Sequence, residues 1–181
     1  IKKTDLLDYS RIRQNGLRAI ELVEGDELIS VSLTDGTEDI MLATHNGLAI
    51  RFNEKDVRAM GRTTRGVRGI RLNSDDFVVS AVVLKENKTL LTVTENGYGK
   101  KTEPDEYRAQ SRGGKGIFTY KITEKTGKLA GMVGVTDAND VMLITSEGII
   151  IRMHTDEIST YGRQTQGVRL MRLDENVAVV G

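Results

Sequence analysis

Apolar and polar positions alternate along this chain in short bursts, each ended by a turn signal. "IMLAT" (Ile40 to Thr44) and "LAIRF" (Leu48 to Phe52) flank His45, Asn46 and Gly47. Asn-Gly is favoured in tight hairpins, where both turn residues take positive φ, so the pattern predicts a hairpin here. A basic loop follows, and "VRGIRL" (Val67 to Leu72) alternates again. After the acidic turn Ser74-Asp75-Asp76 comes "FVVSAVVL" (Phe77 to Leu84), apolar enough for a buried strand.

The pattern recurs. "TLLTVT", "YGKKT", "GIFTYKI" and "LAGMVGV" repeat it, then "VMLIT", "IIIRM", "GVRLMRL" and "VAVV". Gly47, Gly97 and Gly148 fall 50 and 51 residues apart, and Gly16, Gly66, Gly116 and Gly167 keep intervals of 50, 50 and 51. Four short strands per repeat of this length is the signature of propeller blades. The predicted fold is all-β, built of four-stranded antiparallel blades of about 50 residues. The expected units are a partial blade at 1–39, which lacks its opening strand, and blades at 40–88, 89–140 and 141–181. The chain starts and stops inside the repeat, so an incomplete ring and a fragment of a longer protein are expected.

Composition narrows the class. Hydrophobic residues make up 38% and charged residues 29%, with 19 Gly, one Pro and no heptad segment, which favours strands and turns. The absence of Cys excludes disulfides and thiolate metal sites and fits a reducing compartment, so a cytoplasmic location is expected. No run of about 18 apolar residues suggests a membrane span, and no signal peptide is legible.

The formal net charge is zero, yet the charges are segregated. Arg58, Arg62, Arg65, Arg68 and Arg71 share one acid-free stretch; Arg108, Arg112, Lys115 and Lys121 share its equivalent 50 residues on. Arg163, Arg169 and Arg172 hold the fourth such window, and Arg11, Arg13 and Arg18 the first. Fifteen of the 26 basic residues lie in these four windows. One loop per blade then predicts one basic patch per blade, a positive belt on a neutral molecule. Lys100 and Lys101, with Arg51 and Arg152, extend the belt if they share its side. Duplex DNA carries about one charge per 1.7 Å of axis, so such a belt can track its backbone without reading bases.

Other chemistry is weakly supported. "RGGKG" (Arg112 to Gly116) lacks the P-loop spacing, since the P-loop has four residues between its first Gly and Gly-Lys and a Ser or Thr after Lys, whereas Lys115 is followed by Gly116. Its glycines still permit a concave run of N–H groups that suits a passing anion. His45 and His154 read as surface turn residues rather than metal ligands, and no catalytic constellation recurs. Tyr9 and Tyr107 precede basic loops and suit packing or stacking. Met41, Met132 and Met142 read as core.

"GLAIRFNEKDVRAMGRTTRGVRGI", "ENGYGKKTEPDEYRAQSRGGKG" and "GRQTQGVRL" together resemble the C-terminal domains of DNA gyrase A subunits, over essentially the whole chain. The resemblance implies a β-pinwheel, a propeller-like ring of usually six blades that wraps DNA on its basic outer rim and supports ATP-dependent negative supercoiling. The chain resembles the later part of that ring. The family's diagnostic box reads Gln-Arg-Arg-Gly-Gly-Lys-Gly and lies in the first blade; Gln110 to Gly116 matches six of its seven residues, with Ser111 in place of Arg. It is read as a relative of the box. The DNA-binding set expected is Arg11, Arg13, Arg58, Arg62, Arg65, Arg68, Lys100, Lys101, Arg108, Gln110, Arg112, Gly113, Gly114, Lys115, Arg163 and Arg169. The resemblance also implies partners (duplex DNA, the gyrase B subunit, the remainder of the gyrase A subunit), a nucleoid-associated location, and no turnover by this chain alone. ATP and Mg²⁺ are expected elsewhere in the holoenzyme, with no cofactor in this chain. The alternatives are a topoisomerase IV C-terminal domain, or a protein-binding propeller that would use a flat face rather than a rim.

Overall fold

Hydrogen-bond registers assign the strands, in a computed structural model that describes residues 1–181. Strands β1 (Asp39–Thr44) and β2 (Leu48–Asn53) form the predicted hairpin, with Leu42 opposite Ile50. Strand β3 (Val78–Leu84) pairs antiparallel with the other side of β1, Leu42 opposite Ala81. The next repeat supplies β4 (Thr89–Thr94), β5 (Tyr98–Thr102) and β7 (Leu129–Val135) in the same arrangement. In the last repeat, β8 (Asp140–Ile144) and β9 (Ile150–His154) make a two-stranded sheet.

The fourth strand of each sheet comes from the following repeat. The first sheet runs β3-β1-β2-β6, where β6 is Ile117–Phe118, and the second runs β10-β5-β4-β7, where β10 is Val168–Arg169. Thus "VRGIRL", "GIFTYKI" and "GVRLMRL" do not form full strands within their own units. The first two cross between repeats: Val67 bonds Ile1 while the N–H of Arg71 reaches Gly114 O, and Phe118 pairs with Leu48 while the N–H of Lys121 reaches Thr165 O of the succeeding repeat. Ile117, Tyr120 and Ile122 all pack into the core between the first and second sheets, and only Ile117 and Phe118 pair as ladder. The same joint occurs at the start, where Ile1 and Val67 exchange both backbone hydrogen bonds.

The hairpin turns also differ from expectation. Thr44 O accepts from the Gly47 N–H at 2.9 Å and only Gly47, not Asn46, has positive φ, at 82°. This is a turn followed by a left-handed glycine that bulges the ladder. Gly97 and Gly148 repeat it, at 77° and 80°. Thr44, Thr94 and Thr145 are buried beneath the turns and accept from the N–H of Leu48, Tyr98 and Ile149.

Both faces of the central strands are buried. Met41, Ala43 and Ala49 pack with Leu90, Tyr107, Tyr120 and Leu129 between the first and second sheets. Leu91, Val93, Val135, Leu143 and Ile158 fill the next interface, and Ile40, Leu42, Ile50 and Phe52 the preceding one. Strands β3 and β7 pack against each other, the Met132 N–H donating to Ser80 Oγ at 2.9 Å, so β6 and β10 lie on the opposite, outer edges. The sheets fan into an arc that does not close. Met142, read from sequence as core, is 63% exposed although its equivalent Met41 is fully buried, because no sheet packs on that face of β8. Residues 28–34 carry the same pattern as β3 but pair with no strand, leaving Leu28, Ile29, Val31 and Leu33 exposed.

Candidate nucleic-acid interface

The outermost strands and the loops leading into them carry the basic windows. After β2, β5 and β9 a single 3₁₀ turn follows in every repeat, at Glu54–Asp56, Pro104–Glu106 and Thr155–Glu157. The residue after each turn, Val57, Tyr107 or Ile158, is buried and anchors the loop. The Tyr107 hydroxyl meets Thr119 Oγ1 at 2.5 Å, and burial raises the Tyr107 pKa above the ordinary phenol value. Tyr107 is therefore a packing residue.

Within each loop the cations divide into two kinds. Arg58, Arg65, Arg68, Arg108, Lys115 and Arg169 are exposed on the outer edge, as are Arg71, Lys121 and Arg172. Arg65 pairs with Glu21 at 3.1 Å, and Arg169 lies over the Tyr98 ring while donating to its hydroxyl at 2.9 Å. Lys125 faces the same ring, so Tyr98, Lys125, Arg169 and Arg172 line one shallow basic depression that sequence reasoning missed. Its signal was faint, a single Lys inside a hairpin. Arg11 and Arg13 are exposed beside Arg62 in a second depression.

The equivalent residues Arg62, Arg112 and Arg163 are instead half-buried. Each donates through Nη1 to a backbone carbonyl of the preceding repeat: Arg62 to Arg18 O at 3.1 Å, Arg112 to Arg68 O at 2.6 Å, Arg163 to Phe118 O at 2.6 Å. Backbone bonds run beside them, from the N–H of Glu21, Arg71 and Lys121 to Thr64 O, Gly114 O and Thr165 O at 3.2, 2.7 and 3.3 Å. Gly113, at φ 82°, adds a bond from its N–H to Gly69 O at 2.7 Å. That N–H is therefore spent on the protein rather than offered to an anion. Gln110 is held by its own N–H to Arg51 O.

Lys100 and Lys101 are corrections to the sequence-based set. Lys100 is fully buried, because β5 lies between β4 and β10, and its ammonium donates to Gly162 O at 2.7 Å and Arg163 O at 2.5 Å. Burial lowers its pKa to about 8, with Glu106 opposing and Arg163 reinforcing the shift. Lys101 is buried against Asp137 at 2.5 Å. Arg51 and Arg152 do not extend the belt as free charges either, being paired with Asp39 at 2.7 Å and with Asp140. His45 is likewise not a free turn residue: it stacks on Phe77 and meets Glu95 of the next hairpin at 2.9 Å.

Asp35, Glu38 and Glu54 bring three carboxylates together. The Glu54 carboxylate is already occupied, accepting from Thr34 Oγ1 at 2.7 Å and from the N–H of Gly36 and Glu38 at 2.8 and 3.1 Å. Its role is to cap the 34–38 turn. No helix is long and apolar enough to cross a membrane.

Comparison with known proteins separates fold from family. A model of the DNA gyrase C-terminal domain, beta-propeller, matches residues 1–35, 38–85, 88–135 and 139–181. The DNA gyrase A subunit of Streptococcus pyogenes serotype M1 is 61% identical over 180 residues, 99% of this chain and 22% of the relative. The corresponding protein of Escherichia coli K12 is 48% identical over 181 residues, covering 100% and 21%. The chain thus spans about a fifth of the length of these relatives. Among solved structures, a DNA topoisomerase IV C-terminal domain superposes with TM-score 0.93 at 28% identity, covering 99% of this chain and 57% of that one. A DNA gyrase A C-terminal domain superposes with TM-score 0.85 at 30% identity, covering 93% and 57%. The backbone is shared by both groups, whereas the high sequence identities are to gyrase A, so the chain belongs to the DNA gyrase A C-terminal domain family.

Proposed function

We propose that this chain binds duplex DNA without sequence preference along the outer edge of its arc and bends it into a wrap, as part of a gyrase A subunit. One observation carries the reading: the exposed cations Arg58, Arg68, Arg108, Lys115 and Arg169 stand on outermost strands and loops that recur with the repeat, away from the edge where β3 and β7 pack. Spaced cations release counterions from a phosphate backbone, and a curved row of them favours a curved duplex. A wrap of fixed hand presents a neighbouring DNA segment to the strand-passing core. The holoenzyme, formed with the B subunit and the rest of the A subunit, then uses ATP and Mg²⁺ to introduce negative supercoils. The chain itself serves as a binding module without turnover, in the nucleoid.

The experiment is duplex binding across a salt series, followed by nicked-circle ligation with this chain bound. Affinity that falls steeply with salt and is indifferent to sequence supports the reading, and binding that ignores salt overturns it. The open arc of sheets favours a second reading, in which the module binds duplex DNA without bending it into a wrap. An unchanged linking number after ligation, with binding retained, would favour that one.

A further inference from the structure

Arg62, Arg112 and Arg163 occupy one position of the repeat and share one geometry. Each guanidinium reaches back 44 or 45 residues to a carbonyl on or beside the preceding outermost strand. Arg112 spans two acceptors, Asp56 O through Nε at 3.2 Å and Arg68 O through Nη1 at 2.6 Å. Arg163 also lies over the Tyr107 ring. A second series braces the same loops from within: Lys2 donates to Arg62 O and Lys100 to Arg163 O, whereas the equivalent position in the middle repeat is Ile50, packed under Gly114. The middle joint, without a lysine, has instead two short backbone bonds, Gly113 N–H to Gly69 O and Arg71 N–H to Gly114 O, both 2.7 Å. Gly113 makes this possible because its left-handed φ of 82° is strained for other residues.

From this we infer that Arg62, Arg112 and Arg163 are positioning residues that set the spacing between successive cationic patches, and not phosphate ligands. The inference rests on the DNA-wrapping reading for its consequence, though not for its geometry. Affinity then belongs to the exposed cations, while curvature of the path belongs to the half-buried arginines. A guanidinium donates along directions fixed by its plane, at Arg112 to two carbonyls at once, whereas a lysine ammonium of equal charge is a compact, rotating donor that fixes no such direction. Arg→Lys at these positions therefore separates charge from geometry.

The chain has no cysteine, so paired labels are clean. Lys55→Cys and Asp105→Cys place spin labels on exposed equivalent turns of adjacent repeats, on either side of Arg112. Pulsed dipolar spectroscopy of the free protein is expected to give an inter-label distribution at least about twofold broader in Arg112→Lys than in the parent. An unchanged distribution overturns the inference whatever the protein does with DNA. With DNA, the triple Arg62→Lys, Arg163→Lys, Arg112→Lys variant should keep the salt slope while losing at least about half of the linking-number shift. A slope lowered by about one per substitution would make these arginines phosphate ligands and overturn it, as would an undiminished shift. If the triple variant does not fold, Arg112→Lys alone is read the same way, its joint being held by the backbone bonds. A parent chain that fails to bind duplex removes the wrapping reading and leaves the spectroscopic test standing.

Discussion

The Nζ of Lys100 lies 2.7 Å from the carbonyl oxygen of Gly162, so a buried cation of one repeat holds the rim loop of the next. Burial lowers its pKa from the ordinary 10.5 to about 8. Between those values the unfolded chain binds the proton more tightly, so unfolding takes up a proton and stability rises with pH. Below about 8 both states are charged and the burial penalty stands in full. Urea melts should therefore show the parent gaining on Lys100→Met as pH rises through this window, the difference cancelling other titrating groups. A parent that loses ground to the variant over the same window contradicts it.

Four exposed cations, Arg58, Arg68, Arg108 and Lys115, are expected to touch phosphates. Changing all four to Ala should reduce the slope of log K against log salt by about 0.9 for each phosphate no longer neutralised, or roughly 3 to 4 in total. Because none is buried, the thermal midpoint should hold, and differential scanning fluorimetry checks this.

Gly116 carries the close approach of β6 to β2. A Cβ there would stand 2.6 Å from Ala49 O, on a backbone at φ 75°. Gly116→Ala should cost about 1–3 kcal/mol by chemical denaturation. Gly16, at φ 73°, has no atom within 4 Å of such a Cβ, so Gly16→Ala should cost distinctly less, near the conformational strain alone.

Burial opposes ionisation of Glu54, but hydrogen bonds from Thr34, Glu38 and Gly36 and the Lys3 ammonium outweigh it and lower its pKa below the ordinary carboxyl value. It stabilises the fold above its unfolded pKa, and that contribution is lost as pH falls through the lower folded value. Glu54→Gln can keep its amide oxygen on the N–H groups of Gly36 and Glu38 but turns its amide donor towards Thr34 Oγ1 and the Lys3 ammonium, and should cost about 1–3 kcal/mol at neutral pH. Its stability should also fall less steeply on acidification than that of the parent.

The repeat and its hairpins were legible because their causes are local. Gly47, Gly97 and Gly148 sit where the turn needs a left-handed residue, and β1 and β4 alternate between two buried faces. The exchange of outermost strands was not legible, since "GIFTYKI" alternates whether it pairs with its own sheet or with its neighbour's. Within the site, the exposed arginines followed from the acid-free windows. Arg112 looked the same as Lys115 in sequence, and only its distance to Arg68 O separates the two. Lys100 was misread because a lysine at a strand end suggests solvent, whereas its partner carbonyls lie more than 60 residues away. Met142 and Met41 have equivalent patterns and opposite burial, because burial depends on what packs alongside.

The unit copied in the sequence and the unit that folds are out of phase. A sheet closes only when the following repeat hands back its outermost strand, at Ile117–Phe118 or Val168–Arg169. Duplication of one 50-residue segment would therefore not add a self-contained blade. It would insert a link that receives from its successor and gives to its predecessor through a joint built on the same plan as those on either side. Such a family can gain or lose members of the ring without inventing a new interface, so blade number is evolutionarily cheap to change while the joint is not.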